Sequence, residues 1–233
     1  VKRVARLLGT ADTAFIMAAA NRADPAACGI RDIRIRPHQI PDGHPGSSGG
    51  SRDPNRLLYV GHLGNEKGTP ALIRAMAMLP ENIRLDLVGE PIPPWTFRKF
   101  QNLARDAGVL SRVRFAGPRR PEELGAFYRE ASLFVFPSVA PYESFGLVLA
   151  EAMKWGLPVV ASDWRANREV LGPGSNWLYD PADAKGLTGA LTKALQEKKE
   201  WEACGKDNRR RYETYYRPGA GPTVIEDLVA FAK

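Results

Sequence analysis

Residues 133–161, LFVFPSVAPYESFGLVLAEAMKWGLPVVA, decide the fold of this chain. Leu133-Phe134-Val135-Phe136 has no polar position, the pattern of a strand buried on both faces, and Val159-Val160-Ala161 is a second such run. Between them, Phe145 to Trp155 reads as a helix stopped by Gly156, with Pro158 just beyond. The alternation continues upstream. Leu57-Leu58-Tyr59-Val60 is a strand ending at Gly61, and Thr69-Pro70 opens a helix with Thr69 as cap and Pro70 in the first position. Its apolar residues Leu72, Ile73, Met76 and Leu79 keep helical spacing. Strand Leu85 to Gly89, helix Phe97 to Ala107, strand Val113 to Ala116 and helix Glu122 to Ala131 follow. Downstream lie strand Trp177-Leu178-Tyr179 and helices Ala184 to Lys198, Trp201 to Tyr215 and Val224 to Ala232. Buried strands alternating with helices define the α/β class, a doubly wound parallel sheet covered on both faces. Ligands of such sheets bind at the carboxyl ends of the strands, so the loops after Val60, Val88, Ala116 and Phe136 form the functional edge.

Outside this region the sequence is less regular. Pro45-Gly46-Ser47-Ser48-Gly49-Gly50-Ser51 has the composition of a flexible connection. Before it come a helix-like stretch, Val4 to Leu8, then Thr13 to Ala20, then the alternating Ile33-Arg34-Ile35-Arg36. The expected division is a remnant of a preceding domain over 1–44, a linker over 45–55, the main domain over 56–217 and a C-terminal helix over 218–233. The chain starts at Val1 and looks cut from something longer. Cys28 and Cys204 fit no metal spacing and read as free thiols of a reducing compartment. No apolar run approaches the roughly 20 residues that span a bilayer. A net charge of +7 favours anionic partners, and Arg209-Arg210-Arg211, the densest basic cluster, reads as a solvated helix face.

Two loops carry the chemistry. Gly61-His62-Leu63-Gly64-Asn65-Glu66-Lys67-Gly68 places glycines and a lysine before a helix N-terminus, where a backbone can approach an anion. On its own it reads as a tight strand-to-helix turn with a solvated lysine, since it has neither the Walker ending nor the GxGxxG pattern. The second loop runs Tyr142-Glu143-Ser144-Phe145-Gly146-Leu147-Val148 and on to Glu151. Ser144 as helix cap would leave free N–H groups around Phe145, Gly146 and Leu147, which suit a phosphate. Glu151 lies two turns on, about 12 Å from Glu143 at 1.5 Å per helical residue. That separation suits one carboxylate at each end of a sugar diphosphate, although spacing alone equally describes a loop glutamate and an ordinary helix glutamate.

In order along the chain, these motifs resemble the C-terminal domain of retaining GT-B glycosyltransferases of family four, the "group 1" type. Glu143 to Glu151 has their E-x7-E spacing, within Pro137-Ser138 … Tyr142-Glu143-Ser144-Phe145-Gly146-Leu147 … Glu151-Ala152-Met153 … Gly156-Leu157-Pro158-Val159-Val160-Ala161-Ser162-Asp163. Tyr59-Val60-Gly61 … Glu66-Lys67-Gly68 resembles their first donor-domain strand and phosphate loop, and Phe115-Ala116-Gly117 with Glu122-Glu123-Leu124 the segment that meets the base. The resemblance covers about Leu57 to Leu195. It implies transfer of a hexose, with retention, from a nucleotide diphosphate sugar to a hydroxyl of a glycan, lipid or small molecule. Lys67 would hold the diphosphate beside Gly61 and His62, and the backbone of Phe145, Gly146, Leu147 and Val148 would cradle it. Glu151 would bind the ribose, Glu143 would face the transferred sugar, and Gly117-Pro118 would contact the base. Glu143 and Lys67 would act in catalysis, a front-face attack in which the leaving phosphate takes the acceptor's proton and the Lys67 cation stands where other folds use a metal. No cofactor and no metal is implied, and His38, His44 and His62 are scattered.

The implied partners are the donor, the acceptor and an N-terminal acceptor-binding domain nearly all missing here, so this chain alone is not expected to transfer sugar. The expected location is the cytoplasm or the inner face of the membrane, with room for peripheral membrane contact. No nucleic-acid partner is expected, because Trp95, Trp164 and Trp201 are not interleaved with basic residues on one face. Three positions depart from the family pattern. His62 stands where arginine is usual, Trp164-Arg165-Ala166 where a Gly-Gly pair follows Ser162-Asp163, and Trp177 near an expected glycine. They keep a second reading open, a nucleotide-sugar-binding module without catalysis.

Overall fold

The computed structural model describes residues 11–41, 52–174 and 176–231. The Val4 to Leu8 stretch, His44 and the Gly/Ser segment at 45–51 lie outside the described residues.

The first described segment is a small parallel unit, strand β1 (Thr13–Ile16), helix α1 (Ala23–Ala27) and strand β2 (Asp32–Ile35). Thr13 to Ala20, given no element type by sequence, begins as a strand. Its residues pair with β2 from Thr13 opposite Asp32 to Ile16 opposite Ile35, a ladder that local pattern does not reveal.

The main sheet has six parallel strands, β3 (Arg56–Val60), β4 (Arg84–Val88), β5 (Val113–Gly117), β6 (Leu133–Phe136), β7 (Val159–Ser162) and β8 (Trp177–Tyr179), in the order β5-β4-β3-β6-β7-β8. Alternate residues of each strand face opposite layers. Leu57 and Tyr59 pack into a core with Leu72, Ile73 and Met76 of α2 (Thr69–Met76), Phe100 of α3 (Thr96–Asp106) and Leu191 from further along the chain. Leu58 and Phe134 face the other layer, where Tyr128 of α4 (Pro121–Glu130), Leu149 and Met153 of α5 (Leu147–Lys154) and Val170 of α6 (Asn167–Leu171) pack. Each fully buried Leu, Ile, Phe or Met contributes about 1.5–3 kcal/mol, which favours apolar residues on both faces; a buried exception is Asp86 of β4, 5% exposed and 3.6 Å from the Arg56 guanidinium. Helix α7 (Gly186–Gln196), which carries Leu191, and α8 (Trp201–Tyr215) complete the layers, and α9 (Val224–Phe231) ends the described chain.

One helix cap and one basic cluster differ from expectation. Gly68 in the left-handed conformation precedes α2, so Thr69 is its first helical residue and its hydroxyl accepts the N–H of Gly64 at 3.1 Å. The basic cluster on α8 is largely structural. The Arg209 guanidinium bonds the Lys154 carbonyl and that of Arg211 the Val170 and Glu169 carbonyls, leaving Arg210 as the solvated member.

The β1–α1–β2 unit is tied to the carboxyl edge of the main sheet. The N–H groups of Ala19 and Ala20 donate to the Glu169 carboxylate at 2.7 and 2.9 Å, and Asn21 donates to the Ser144 carbonyl at 2.5 Å. Arg34 and Arg36 of β2 pair with Asp227 of α9 at 3.0 and 2.5 Å.

Candidate active site

The sheet order reverses at β3, with β4 on one side and β6 on the other, so the loops after β3 and β6 face each other across a topological switch point. Three features shape the first loop. The Tyr59 hydroxyl donates to the His62 carbonyl at 2.6 Å, and burial raises that phenol's pKa far above its usual range, keeping it a donor. Gly89, at φ +141, lies so close that a Cβ would sit 1.9 Å from the Gly61 carbonyl oxygen. Gly68, at φ +77, would put a Cβ 2.3 Å from the Pro137 carbonyl oxygen. The two loops are in backbone contact, and only glycine fits.

That contact brings Lys67 to Glu143. The Lys67 ammonium is 2.7 Å from Glu143 Oε2, which also accepts the Ser138 hydroxyl at 2.8 Å. Glu143 is 8% exposed, so this counter-charge and this hydroxyl are what make its burial tolerable. Tyr142 lies alongside with its ring 5.1 Å from the ammonium, and its hydroxyl, which donates to Glu66, has its pKa pushed up to about 12 chiefly by that bond.

A cavity of about 430 Å³ opens here, lined by Gly61, His62, Lys67, Glu143, Phe145, Gly146, Leu147 and Val148. Eight of the residues expected at a donor site thus share one cavity. The helix start differs in detail. Gly146 is left-handed at φ +72, α5 begins at Leu147, and Ser144 makes no cap. Phe145 is instead drawn out of the helix into an edge-on contact with His38 at 5.5 Å and Tyr216 at 5.4 Å. First-turn amides of a helix have no acceptor within it, so at this helix start the free amides belong to Leu147 and Val148, one to two residues later than the sequence suggests.

Glu151, Gly117 and Pro118 lie elsewhere. Glu151 faces a groove of about 680 Å³ between α4 and α5, with Tyr128, Trp155 and Ile40. The Tyr128 hydroxyl donates to its Oε2 at 2.8 Å, and Oε1 has no partner among the described residues. Burial raises the Glu151 pKa, which the Tyr128 bond opposes. Gly117 ends β5, two strands from β3, and its carbonyl accepts the Gly89 N–H at 2.9 Å. Pro118 follows it at that edge. Tyr128 is not singled out by the sequence, and Ser138 stands in the Pro137-Ser138 motif without a role of its own. Their signal there is modest, a hydroxyl at a strand's carboxyl end and a tyrosine one residue after the buried Phe127 of an amphipathic helix.

The departures also find places. The His62 imidazole is exposed, with Nε2 3.8 Å from Glu90 at the cavity rim. Arg165 has φ +50, the one positive-φ residue other than glycine among the described residues, and reaches Asp24 of α1 at 3.1 Å. Its neighbour Trp164 donates its indole N–H to the Ala140 carbonyl at 2.9 Å. Trp177 packs into the core and donates to Glu197 at 2.7 Å.

Known structures share this architecture. Sucrose-phosphate synthase from Thermosynechococcus elongatus superposes with a TM-score of 0.84 at 27% identity, over 98% of this chain and 59% of that one. HepE from Anabaena, solved in complex with UDP and glucose, superposes at 0.83 with 20% identity over 99% and 65%, a likeness of fold. The parallel sheet and its switch-point cleft therefore define the Rossmann-like, GT-B glycosyltransferase class. The family model of glycosyl transferases group 1 matches residues 44–211, and the chain belongs to that family. Curated relatives include D-inositol 3-phosphate glycosyltransferase of Corynebacterium efficiens, 46% identical over 112 residues, which are 46% of this chain and 26% of the relative. The enzyme of that description from Corynebacterium kroppenstedtii is 36% identical over 165 residues, 66% of this chain and 34% of the relative. The chain spans about a quarter to a third of the length of these curated relatives. Among the described residues no three His, Cys, Asp or Glu side chains form a metal-binding group, and no helix is long and apolar enough to cross a membrane.

Proposed function

We propose that this chain binds a nucleotide diphosphate sugar and supplies the donor side of a retaining sugar transfer to a hydroxyl acceptor. The Lys67–Glu143 pair beside the first turn of α5 carries this reading. It puts a cation, free amides and a carboxylate with an unpartnered oxygen into one cavity at the switch point. The diphosphate would take Lys67 and the amides of Leu147 and Val148, and the sugar's hydroxyls would donate to Glu143. The bond from the anomeric carbon to the diphosphate oxygen breaks as the acceptor oxygen bonds that carbon, and the departing phosphate receives the acceptor's proton. Lys67 stabilises the charge that develops on it. Glu151 would accept the ribose hydroxyls, with the base towards Gly117 and Pro118. HepE, solved with UDP and glucose, makes uridine the first base to test. Calorimetry with uridine, guanosine and adenosine diphosphates in the presence of a chelator tests the reading. At least one should bind, and a folded sample that takes none of them would refute it.

Two variants probe the ends of the site. Glu151→Gln should weaken nucleoside diphosphate binding by about 1–3 kcal/mol, the worth of hydrogen bonds to a charged group. It should also stabilise the ligand-free protein. The unfolded glutamate releases its proton near 4.5 and the folded one only higher, so in that window the native state holds more protons and stability falls as pH rises. Melting curves of the two proteins should coincide well below pH 4.5 and separate above it, the variant being higher. His62→Arg should tighten diphosphate binding at neutral pH by about 1 kcal/mol, because a guanidinium offers an anion a charged, planar fork of donors that an imidazole lacks. Equal affinities would mean that the imidazole belongs to Glu90 and the solvent.

A further inference from the structure

We infer that Glu143 makes the site discriminate against the spent nucleoside diphosphate in favour of the intact sugar nucleotide; this deepens, and rests on, the donor reading above. Lys67 is the one lysine or arginine lining the cavity among the described residues, and its ammonium is already engaged by Glu143 at 2.7 Å. The carboxylate is not free to swing away. Ser138 holds Oε2 from the loop after β6, and the residue is 8% exposed. A diphosphate that reaches Lys67 therefore shares the ammonium with a fixed negative charge.

The two ligands meet that charge differently. In the sugar nucleotide the distal phosphate is a diester with a single negative charge, capped by a sugar whose hydroxyls can donate to the unpartnered Oε1 of Glu143. In the nucleoside diphosphate the distal phosphate is terminal. It carries most of a second charge at neutral pH, its last ionisation lying near 6, and it brings no hydroxyls. One carboxylate is thus an acceptor for the substrate and a repulsive neighbour for the product. Glutamine at this position would keep the acceptor oxygen, remove the repulsion and release Lys67. An E-x7-E reading in which Glu143 only faces the sugar expects no change in diphosphate affinity on that substitution; the ion pair replaces that expectation with a gain.

Calorimetry of wild type, Glu143→Gln and Glu143→Asp with UDP and UDP-glucose, and in parallel with GDP and GDP-mannose, tests this. Glu143→Gln should bind the nucleoside diphosphate about tenfold tighter than wild type, the scale of a nearby like charge removed from a partly screened site, while the sugar nucleotide binds no tighter. Glu143→Asp keeps the charge and should keep the wild-type preference. Melting curves confirm that each variant is folded. A wild type that binds while Glu143→Gln shows unchanged or weaker diphosphate affinity would overturn the inference and leave the donor reading standing. So would a Glu143→Asp protein that behaves like the glutamine variant, since charge would then not be the cause. A folded wild type that binds neither pair removes the donor reading and this inference together.

Discussion

Lys67→Met should lose nucleoside diphosphate binding about 100-fold and should also melt well below the wild type. The first effect follows from removing the charged donor, worth about 1.5–3 kcal/mol. The second follows from what remains. Glu143, at 8% exposure, would keep only the Ser138 hydroxyl as partner. Breaking a fully buried pair costs about 3–5 kcal/mol, and here the side chains are 17% and 10% exposed, so about 2–4 kcal/mol is expected. For a domain of this size that lowers the melting temperature by roughly 5–15 °C. Adding Glu143→Gln to Lys67→Met should restore most of the stability, while diphosphate binding recovers only the part due to the lost Glu143 charge and stays well short of wild type. A double variant as unstable as the single one would show that the lost ion pair is not the cause.

Gly89→Ala should be the more damaging change to the fold. The added Cβ would stand 1.9 Å from the Gly61 carbonyl oxygen, a backbone atom that cannot rotate aside. Gly89 also donates to Gly117, and Gly61 donates to Val88, so relief of the clash would part the ends of β3, β4 and β5 together. A loss of about 4 kcal/mol or more is expected from clash and strained backbone combined. Gly108→Ala separates the two causes. Gly108 has φ +70, but a Cβ added there would meet nothing within 4 Å, so only the backbone penalty of about 1–2 kcal/mol applies. Chemical denaturation of both variants checks the ordering, and equal losses would contradict the clash.

Most strands of the main sheet are legible in the sequence because each is a short, largely apolar run closed by a turn residue, with Asp86 of β4 and Arg114 of β5 as polar exceptions. Leu133-Phe134-Val135-Phe136 needs no context, and neither does Trp201 to Tyr215 as a helix, found with those bounds. The order of the strands is not legible, because nothing in Leu57-Leu58 states that it pairs with Leu133-Phe134 on one side and with β4 on the other. Helix starts fail where distant contacts decide. Phe145 leaves α5 because His38 and Tyr216 hold its ring, and Gly146 then supplies the left-handed turn that Ser144 would otherwise have made unnecessary. The motif residues of the two loops stand out in the sequence, but their bond to each other does not. Lys67 looks solvated in sequence and is instead clamped to a carboxylate 76 positions away.

That separation has a practical side. Because one wall of the cavity comes from the turn after β3 and the other from the turn after β6, no contiguous peptide carries it, and an unfolded chain offers a donor nothing to hold. Occupancy therefore reports on the native population as a whole. A ligand present at 100 times its dissociation constant adds about 2.7 kcal/mol to the folded state alone. At this chain length the melting point then rises by roughly 5–11 °C, enough to rank sugar nucleotides by a simple heat ramp before any acceptor is in hand.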